Sequence, residues 1–237
     1  MQSHNSLDKG IHDDFIAPPC LDSFQILYQD NDILLIDKPS GLLSLSGKNP
    51  LNWDSLHYRL VNGQVGITPP FPMAKLPHRL DFGTSGVMVV ALHQGAAKAL
   101  NRQFQNRTVR KRYLAMLEGK LECDEGEVNV AIAKDREHFP RVKICAQTGR
   151  EAISEFEVLK RLEEPARTLV QYTPHTGRTH QLRIHSLYMG HPIIGCDLYH
   201  SATSQQQAER LLLHASDLYF EHPSTGKQFV GHSPCPF

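Results

Sequence analysis

The sequence predicts an α/β (α+β) protein built on a large mixed, mainly antiparallel sheet with a few flanking helices. Segments with the composition and spacing of strands outnumber those with helical spacing. GVMVVAL, at residues 86–92, is continuously apolar and β-branched, which is typical of a strand buried on both faces. Of the 237 residues, 40% are hydrophobic, enough to bury a sizeable core. We therefore expect one domain over residues 24–237, preceded by a polar tail over 1–23 that packs late or not at all.

The first predicted elements are two strands, FQILYQ and DILLID, which flank the polar QDND and indicate a hairpin. Leu56 and Leu60 suggest a short helix. The Gly- and Pro-rich stretch that follows, NGQVGITPPFPMAKLP, predicts a surface loop.

GVMVVAL should lie centrally in the sheet, and a helix should follow it because Ala96, Leu100 and Phe104 recur at helical spacing. VRKRYLAML then predicts a strand with Lys111 and Tyr113 on the same face. Further strands are predicted at GEVNVAIA, REAISEFEVL, RTLVQYT, LLLHASDLYF and KQFVGH.

One more helix is predicted at GRTHQLRIHSLYMGHP, capped by Thr179 and ended by Gly190 with Pro192.

Charge is unevenly distributed in this chain of zero net charge. Residues 82–117 and 165–196 contain no Asp or Glu. If these segments meet in space, they form a basic groove suited to a phosphate backbone, although a solvated helix face beside an unrelated loop explains the pattern equally well. The basic residues in these segments are Lys98, Arg102, Arg107, Arg110, Lys111, Arg112, Arg167, Arg178 and Arg183.

Composition argues against several classes of protein. The apolar runs are too short to span a bilayer, and the polar N-terminus lacks the apolar core of a signal peptide, so we expect a soluble cytoplasmic protein. Five scattered cysteines without a C-x-x-C pair indicate reduced thiols. His180 and His185, five residues apart, do not share a helix face as the ligands of an H-E-x-x-H site do. We expect no metal and no cofactor.

Asp81 is the strongest candidate for chemistry. It stands in HRLDFGTSG, in a turn directly before the buried strand, so its position should be rigid. A metal ligand, helix cap, general base, nucleophile or surface ion pair are all open roles for such an aspartate. Hydrolase motifs do not fit, because Ser85 lies in G-T-S-G-V and STGK lacks its partner motifs.

Five stretches taken together resemble the ordered motifs of RluA-type RNA pseudouridine synthases. The resemblance runs from about Phe24 almost to the C-terminus and is closest to the compact branch without an S4 domain, because the 23 residues before Phe24 are too short for one. The stretches are KPSGLLS, HRLDFGTSG, KRYLAML, TGRTHQLRIH with GHPIIG, and LLLHASDLYFEHPSTG.

This resemblance implies a sheet split by a central RNA-binding cleft, and conversion of uridine to pseudouridine within RNA. It implies that Asp81 is the catalytic aspartate, that Tyr113 stacks on the target uracil, and that Arg183 pairs with Asp81. The residues assigned to substrate binding are Arg79, which enters the RNA stack, the apolar Leu182, His78, Arg178, and Lys38, which with Pro39 also supports the site structurally. For His78, a structural role is as well supported as RNA contact.

The implied partner is a stem-loop of rRNA or tRNA, and we expect a monomer. RluA itself acts on a loop uridine of 23S rRNA and on one in the tRNA anticodon loop. The insertion at residues 61–77 beside the catalytic loop and the N-terminal tail depart from that branch, so another uridine remains an alternative. A noncatalytic RNA-binding module is a more distant one, since it would not need Asp81.

Overall fold

A computed structural model describes residues 15–63 and 70–237 and contains a nine-stranded mixed sheet. Its helices are α1 (Leu56–Asn62), α2 (Gln94–Gln105) and α3 (Gln181–Tyr188), with a 3₁₀ turn at Ser204–Gln207. The strands are β1 (Gln25–Gln29), β2 (Ile33–Lys38), β3 (Ser85–Ala91), β4 (Arg110–Glu118), β5 (Glu125–Asn129), β6 (Ile132–Lys134), β7 (Val142–Ile144), β8 (Ile153–Leu162), β9 (Arg167–Pro174), β10 (Leu213–Glu221) and β11 (Gln228–His232).

The sheet has the strand order β1-β2-β3-β10-β4-β9-β8-β5, with β11 also pairing β10. The β3–β10 pair is parallel and the other pairs are antiparallel, which confirms the predicted fold class. β3 and β10 pair over only two registers, Ser85 with His214 and Gly86 with Ala215. Beyond Ala215 the same edge of β10 pairs β11, at Asp217–Glu221, so β11 takes the place of β3 there.

Gly86 is required at this junction. Its φ is +120°, and a Cβ there would lie 2.2 Å from the carbonyl oxygen of Ala215. No other residue combines this backbone conformation with so close an approach of β10.

The predicted hairpin is β1–β2, and every residue of β3 is buried, as expected of a central strand. The segment predicted as one strand, GEVNVAIA, is instead divided into β5, which pairs β8, and β6, which pairs β7 in a separate hairpin. Between them Val130 hydrogen-bonds Ala152, so the chain leaves the edge of the large sheet there.

The three predicted helices are present, but the last is shorter than expected. It begins after His180, whose φ of 53° is left-handed and whose side chain makes no capping hydrogen bond, so the predicted Thr179 cap is wrong. Gly190, with a φ of 80°, follows the end of α3 as predicted. No helix in the described ranges is long and apolar enough to cross a membrane.

Hydrophobic cores cover both faces of the sheet. α2 packs on β3 and β10 through Ala96, Ala97 and Leu100, while α1 packs on the opposite face of β2 and β3. Around β4, β9 and α3 a third cluster includes Tyr172 and Tyr199.

Two predicted irregular segments lie partly outside the described residues, at 1–14 and 64–69. Residues 15–22, expected to pack late or not at all, contact the domain through hydrogen bonds to Asn52 and Arg59. Within the 61–77 stretch, Lys75 exchanges two backbone hydrogen bonds with Ala91 of β3. The end of that stretch therefore extends the sheet locally.

Candidate active site

A cleft of about 530 Å³ lies next to the starts of β3 and β10, where Thr84 and Leu213 line it. Its walls come from the loop before β3, the end of α2, β4, the turn after β9 and the start of α3. The predicted site residues that line it are Asp81, Tyr113, Arg183, His78, Arg79, Arg178 and Leu182. Lys38 alone of the predicted set does not.

The loop that carries Asp81 is held by the KPSGLLS segment. The hydroxyl of Ser44 donates to the Leu80 carbonyl at 2.7 Å and accepts the Leu80 N–H at 3.1 Å. Ser40 donates to the carbonyl of Gly83 at 2.7 Å. These bonds bracket the half-buried Asp81 on both sides, so its backbone is constrained although it lies in a loop.

Of the two roles assigned to Lys38, substrate binding and structural support, its surroundings favour structural support. Its side chain is 0% exposed, and its ammonium donates to the carbonyls of Pro39 and Leu42 at 2.8 Å and of Phe82 at 3.5 Å. The N–H of Gly41 also donates to Phe82, at 2.9 Å. Lys38 therefore supports the catalytic loop through the Phe82 carbonyl. Because its side chain is fully buried, it cannot contact RNA.

Burial lowers the pKa of Lys38 from 10.5 to about 7, so folding stability should depend on pH through this group. Between these pH values the unfolded chain binds more protons than the folded one, and stability rises with pH, by at most about 1.4 kcal/mol per unit. Below pH 7 the contribution is constant. We expect the free energy of unfolding of Lys38→Met, measured with urea, to lack this rise between pH 7 and 9. An unchanged pH slope would contradict the assignment, and the exposed Lys227→Met is the control.

His78 fastens the start of the catalytic loop to β3. Its Nε2 accepts the Val89 N–H at 3.1 Å, and its ring stacks on Phe104 at 4.7 Å. Burial and then the charge of Lys111 lower the pKa of His78 to about 3. The imidazole is therefore neutral and holds the loop by a hydrogen bond, which supports the structural alternative for this residue.

Tyr113 and Lys111 project from β4 into the cleft, as the predicted alternation requires. Arg110 and Arg112 stack instead on the ring of Tyr219, at 5.5 and 5.4 Å. Burial and then the charge of Asp81 raise the pKa of Tyr113, so its hydroxyl stays protonated at physiological pH. Lys111 was not predicted as a site residue. Its position on the same face of β4 as Tyr113 could have identified it.

Arg183 does not form the expected ion pair with Asp81. Its guanidinium, 4% exposed, forms an ion pair with Asp197, and its Nε and Nη2 donate to the sulfur of Cys196 at 3.3 Å each. The ring of Tyr199 lies 5.4 Å from the guanidinium carbon. Cys196, Asp197 and Tyr199, which follow the GHPIIG motif, thus orient this arginine. No pattern in the sequence indicated these contacts.

The charge of Asp81, in the catalytic loop, nevertheless affects the pKa of Arg183. Burial lowers its pKa, but the charges of Cys196, Asp197 and Asp81 outweigh burial and raise it. The arginine is therefore a permanent cation in the wall of the cleft, within the electrostatic influence of Asp81.

The turn before α3 is built around the side chain of Gln181. Its Oε1 accepts the Arg178 N–H at 3.0 Å and the Thr176 hydroxyl at 2.7 Å. Arg178 donates from Nε to the carbonyl of Glu151 at 2.9 Å, whereas Arg79 is exposed at the rim. These cations, with Lys111 and Arg183, give the cleft a positive lining that suits a phosphate backbone.

Two groups of acidic and histidine side chains have metal-like spacing, Asp30 with Asp32 and His222, and Asp135 with Glu137 and His138. Neither lines the cleft. In the first group Asp30 pairs with His222 at 2.8 Å, and in the second Asp135 pairs with His138 at 3.1 Å. Each group thus contains a hydrogen bond between two of its own side chains.

Comparison with known proteins identifies what this arrangement resembles. The model of the family described as RNA pseudouridylate synthase matches residues 32–188. The chain is 43% identical over 201 residues to the dual-specificity RNA pseudouridine synthase RluA of Yersinia pestis, which covers 85% of this chain and 94% of that protein. For the protein of the same name from Escherichia coli (strain K12), identity is 40% over 221 residues, covering 93% and 97%. The solved structure of human RNA Pseudouridylate Synthase Domain Containing 1 gives a TM-score of 0.73 at 28% identity and covers 93% of this chain and 86% of that one.

Proposed function

Because the chain belongs to the RNA pseudouridylate synthase family and is an RluA-type RNA pseudouridine synthase, we propose that its cleft isomerises specific uridines of structured RNA by means of Asp81. The observation that carries this proposal is the meeting of three side chains from distant segments. Asp81, Tyr113 and Arg183 line one cleft, although they come from a loop, a strand and a helix.

The reaction requires a carboxylate next to the sugar of the target uridine. The bond from C1′ to N1 of uracil breaks, the base turns, and C1′ bonds to C5, which loses its proton while N1 gains one. Asp81 serves either as the nucleophile at C1′ or as the base if the sugar passes through a glycal. The bonds from Ser40 and Ser44 to its loop keep either role geometrically defined.

The free uracil has to be held while it turns. Tyr113 offers the face of its ring to the base, the mode in which proteins usually bind unstacked RNA bases, and Leu182 adds an apolar contact. Arg183, oriented by Cys196 and Asp197, lies in the wall of the same cleft and offers a fixed positive charge to the negative charge that develops during the reaction.

The target has to leave its stack before it can enter the cleft. Flipping costs roughly a few kcal/mol, and the exposed Arg79 is placed to fill the vacated position. Lys111 and Arg178 supply the positive lining for the flanking phosphates. A monomer as the active unit stays a prediction.

Tyr113→Leu is expected to weaken binding of a uridine stem-loop by roughly 5- to 100-fold, since base–aromatic stacking contributes about 1–3 kcal/mol. Tyr113→Phe should bind as the wild type does, because the Tyr113 hydroxyl has no hydrogen-bond partner among the described residues. Fluorescence anisotropy with labelled RNA measures both. The matched control is Tyr188→Leu, an exposed tyrosine at the end of α3. Equal affinity of all variants would contradict the stacking role.

For the targets, we propose a loop uridine of 23S rRNA and an anticodon-loop uridine of tRNA, because relatives about 40% identical carry the name dual-specificity synthase. Carbodiimide mapping of RNA from cells with and without the gene tests this directly. The expected result is loss of one pseudouridine in each RNA. Loss at a different uridine would leave the chemistry and replace the target, whereas no gene-dependent uridine would contradict the proposed function.

A further inference from the structure

Residues 15–22, which we name the N-terminal strap, are attached to the domain at one end by Asn52. This side chain is 3% exposed, and its amide nitrogen donates to the Phe15 carbonyl at 2.7 Å. Its amide oxygen accepts the Ala17 N–H at 2.8 Å. The amide thus pairs with one edge of the extended strap as a neighbouring strand would.

The other end of the strap is held by Arg59 of α1. Its Nη1 donates to the Asp22 carbonyl at 2.7 Å and its Nη2 to the Cys20 carbonyl at 2.5 Å. The guanidinium is itself oriented by two bonds of 2.7 Å to the Asp54 carboxylate. The strap is therefore fixed at two points by pre-oriented side chains.

At these attachments the strap also contacts the catalytic loop, through Phe82, and the segment that supports this loop, through Ser40. The ring of Phe15 meets the ring of Phe82 edge-on at 5.5 Å between centroids. Phe82 directly follows Asp81, and its carbonyl accepts from Lys38. The thiol of Cys20 lies 3.8 Å from the Ser40 carbonyl, and Ser40 is the residue that holds Gly83.

We propose that the N-terminal strap is a positioning element of the active site, in which Phe15 acts through Phe82 to keep Asp81 in its productive place. This inference rests on the proposed function. Polar contacts from Ser40 and Ser44 restrain the backbone of the catalytic loop, and Phe15 contacts the side chain of its Phe82. Small displacements of a catalytic group reduce rate strongly, so removal of this contact affects the chemical step more than RNA affinity.

The test compares Phe15→Ala with Ile16→Ala in the full chain. Phe15 is 38% exposed and contacts Phe82, while Ile16, 54% exposed, lies between the two residues bonded to Asn52 and serves as the control. For Phe15→Ala we expect the single-turnover rate of pseudouridine formation to fall roughly 3- to 10-fold, with the RNA dissociation constant within about 2-fold of wild type. Phe15→Tyr keeps the ring and should restore the rate.

Two further measurements separate positioning from a general loss of structure. In a Phe82→Ala background, Phe15→Ala should have no additional effect on rate, because the two rings act together. Backbone hydrogen exchange at residues 80–84 should be faster in Phe15→Ala than in Ile16→Ala. This difference does not depend on which RNA is the substrate. An inactive wild type would contradict the proposed function, and this exchange difference would still decide the strap's role.

Several outcomes overturn the proposal. One is equal rates for Phe15→Ala and Ile16→Ala together with unchanged exchange at 80–84. Another is a loss confined to RNA affinity, which would make the strap an RNA contact. A full additional effect of Phe15→Ala in the Phe82→Ala background would show that Phe15 does not act through Phe82.

Discussion

Asp81→Asn is expected to lower pseudouridine formation by roughly 10²- to 10⁴-fold or more while RNA binding is retained. The amide keeps the shape of the carboxylate but is neither a nucleophile nor a base. The loop is held by backbone contacts from Ser40 and Ser44 that do not involve the Asp81 side chain, so the fold should persist. Carbodiimide mapping of a stem-loop transcript measures the product, and anisotropy measures binding.

The matched control is Asp217→Asn. Asp217 is also half-buried but lies on β10 outside the cleft, where it bonds His232 at 2.8 Å and Ser216 at 2.7 Å. Full turnover by Asp81→Asn would contradict the mechanism in both its nucleophilic and its glycal form. If Asp217→Asn lowered pseudouridine formation as much as Asp81→Asn does, the cause would be a general loss of structure.

Arg183→Lys should be the next most damaging substitution, with a roughly 10- to 100-fold fall in turnover at saturating RNA. The charge is retained, but a lysine ammonium cannot reproduce the flat fork that contacts Cys196 and Asp197 together. The cation would therefore shift relative to the cleft. Separate determination of kcat and KM shows whether the loss lies in the chemical step.

Arg161→Lys provides the control, because Arg161 also uses its fork, with the carbonyls of Leu121 and Glu122 and an ion pair to Asp124. It lies outside the cleft and should retain wild-type kcat. A larger change in KM than in kcat for Arg183→Lys would assign this arginine to RNA binding.

Most of the fold follows from local pattern. The buried run of β3 predicted a central strand, and the alternation of β4 predicted that Lys111 and Tyr113 share one face, because side-chain direction in a strand has a period of two. Where local rules failed, a competing contact explains the failure. Thr179 does not cap α3, because the Gln181 side chain organises that turn and His180 takes a left-handed conformation.

The site was predictable in its members and less so in their partners. Asp81, Tyr113 and Leu182 were identified from motifs and do line one cleft. Lys38 was assigned to the substrate, yet it is buried beneath the catalytic loop, since a lysine motif does not reveal whether its ammonium faces solvent or three carbonyls.

Most strands, and the turn that places Asp81 before a buried strand, were predictable from local pattern, because periodicity and turn chemistry are local properties. The family was indicated by the resemblance of five motifs. The contacts of Arg183 with Cys196 and Asp197, and of Phe15 with Phe82, became visible only in the folded chain. These contacts join residues far enough apart that no spacing encodes them.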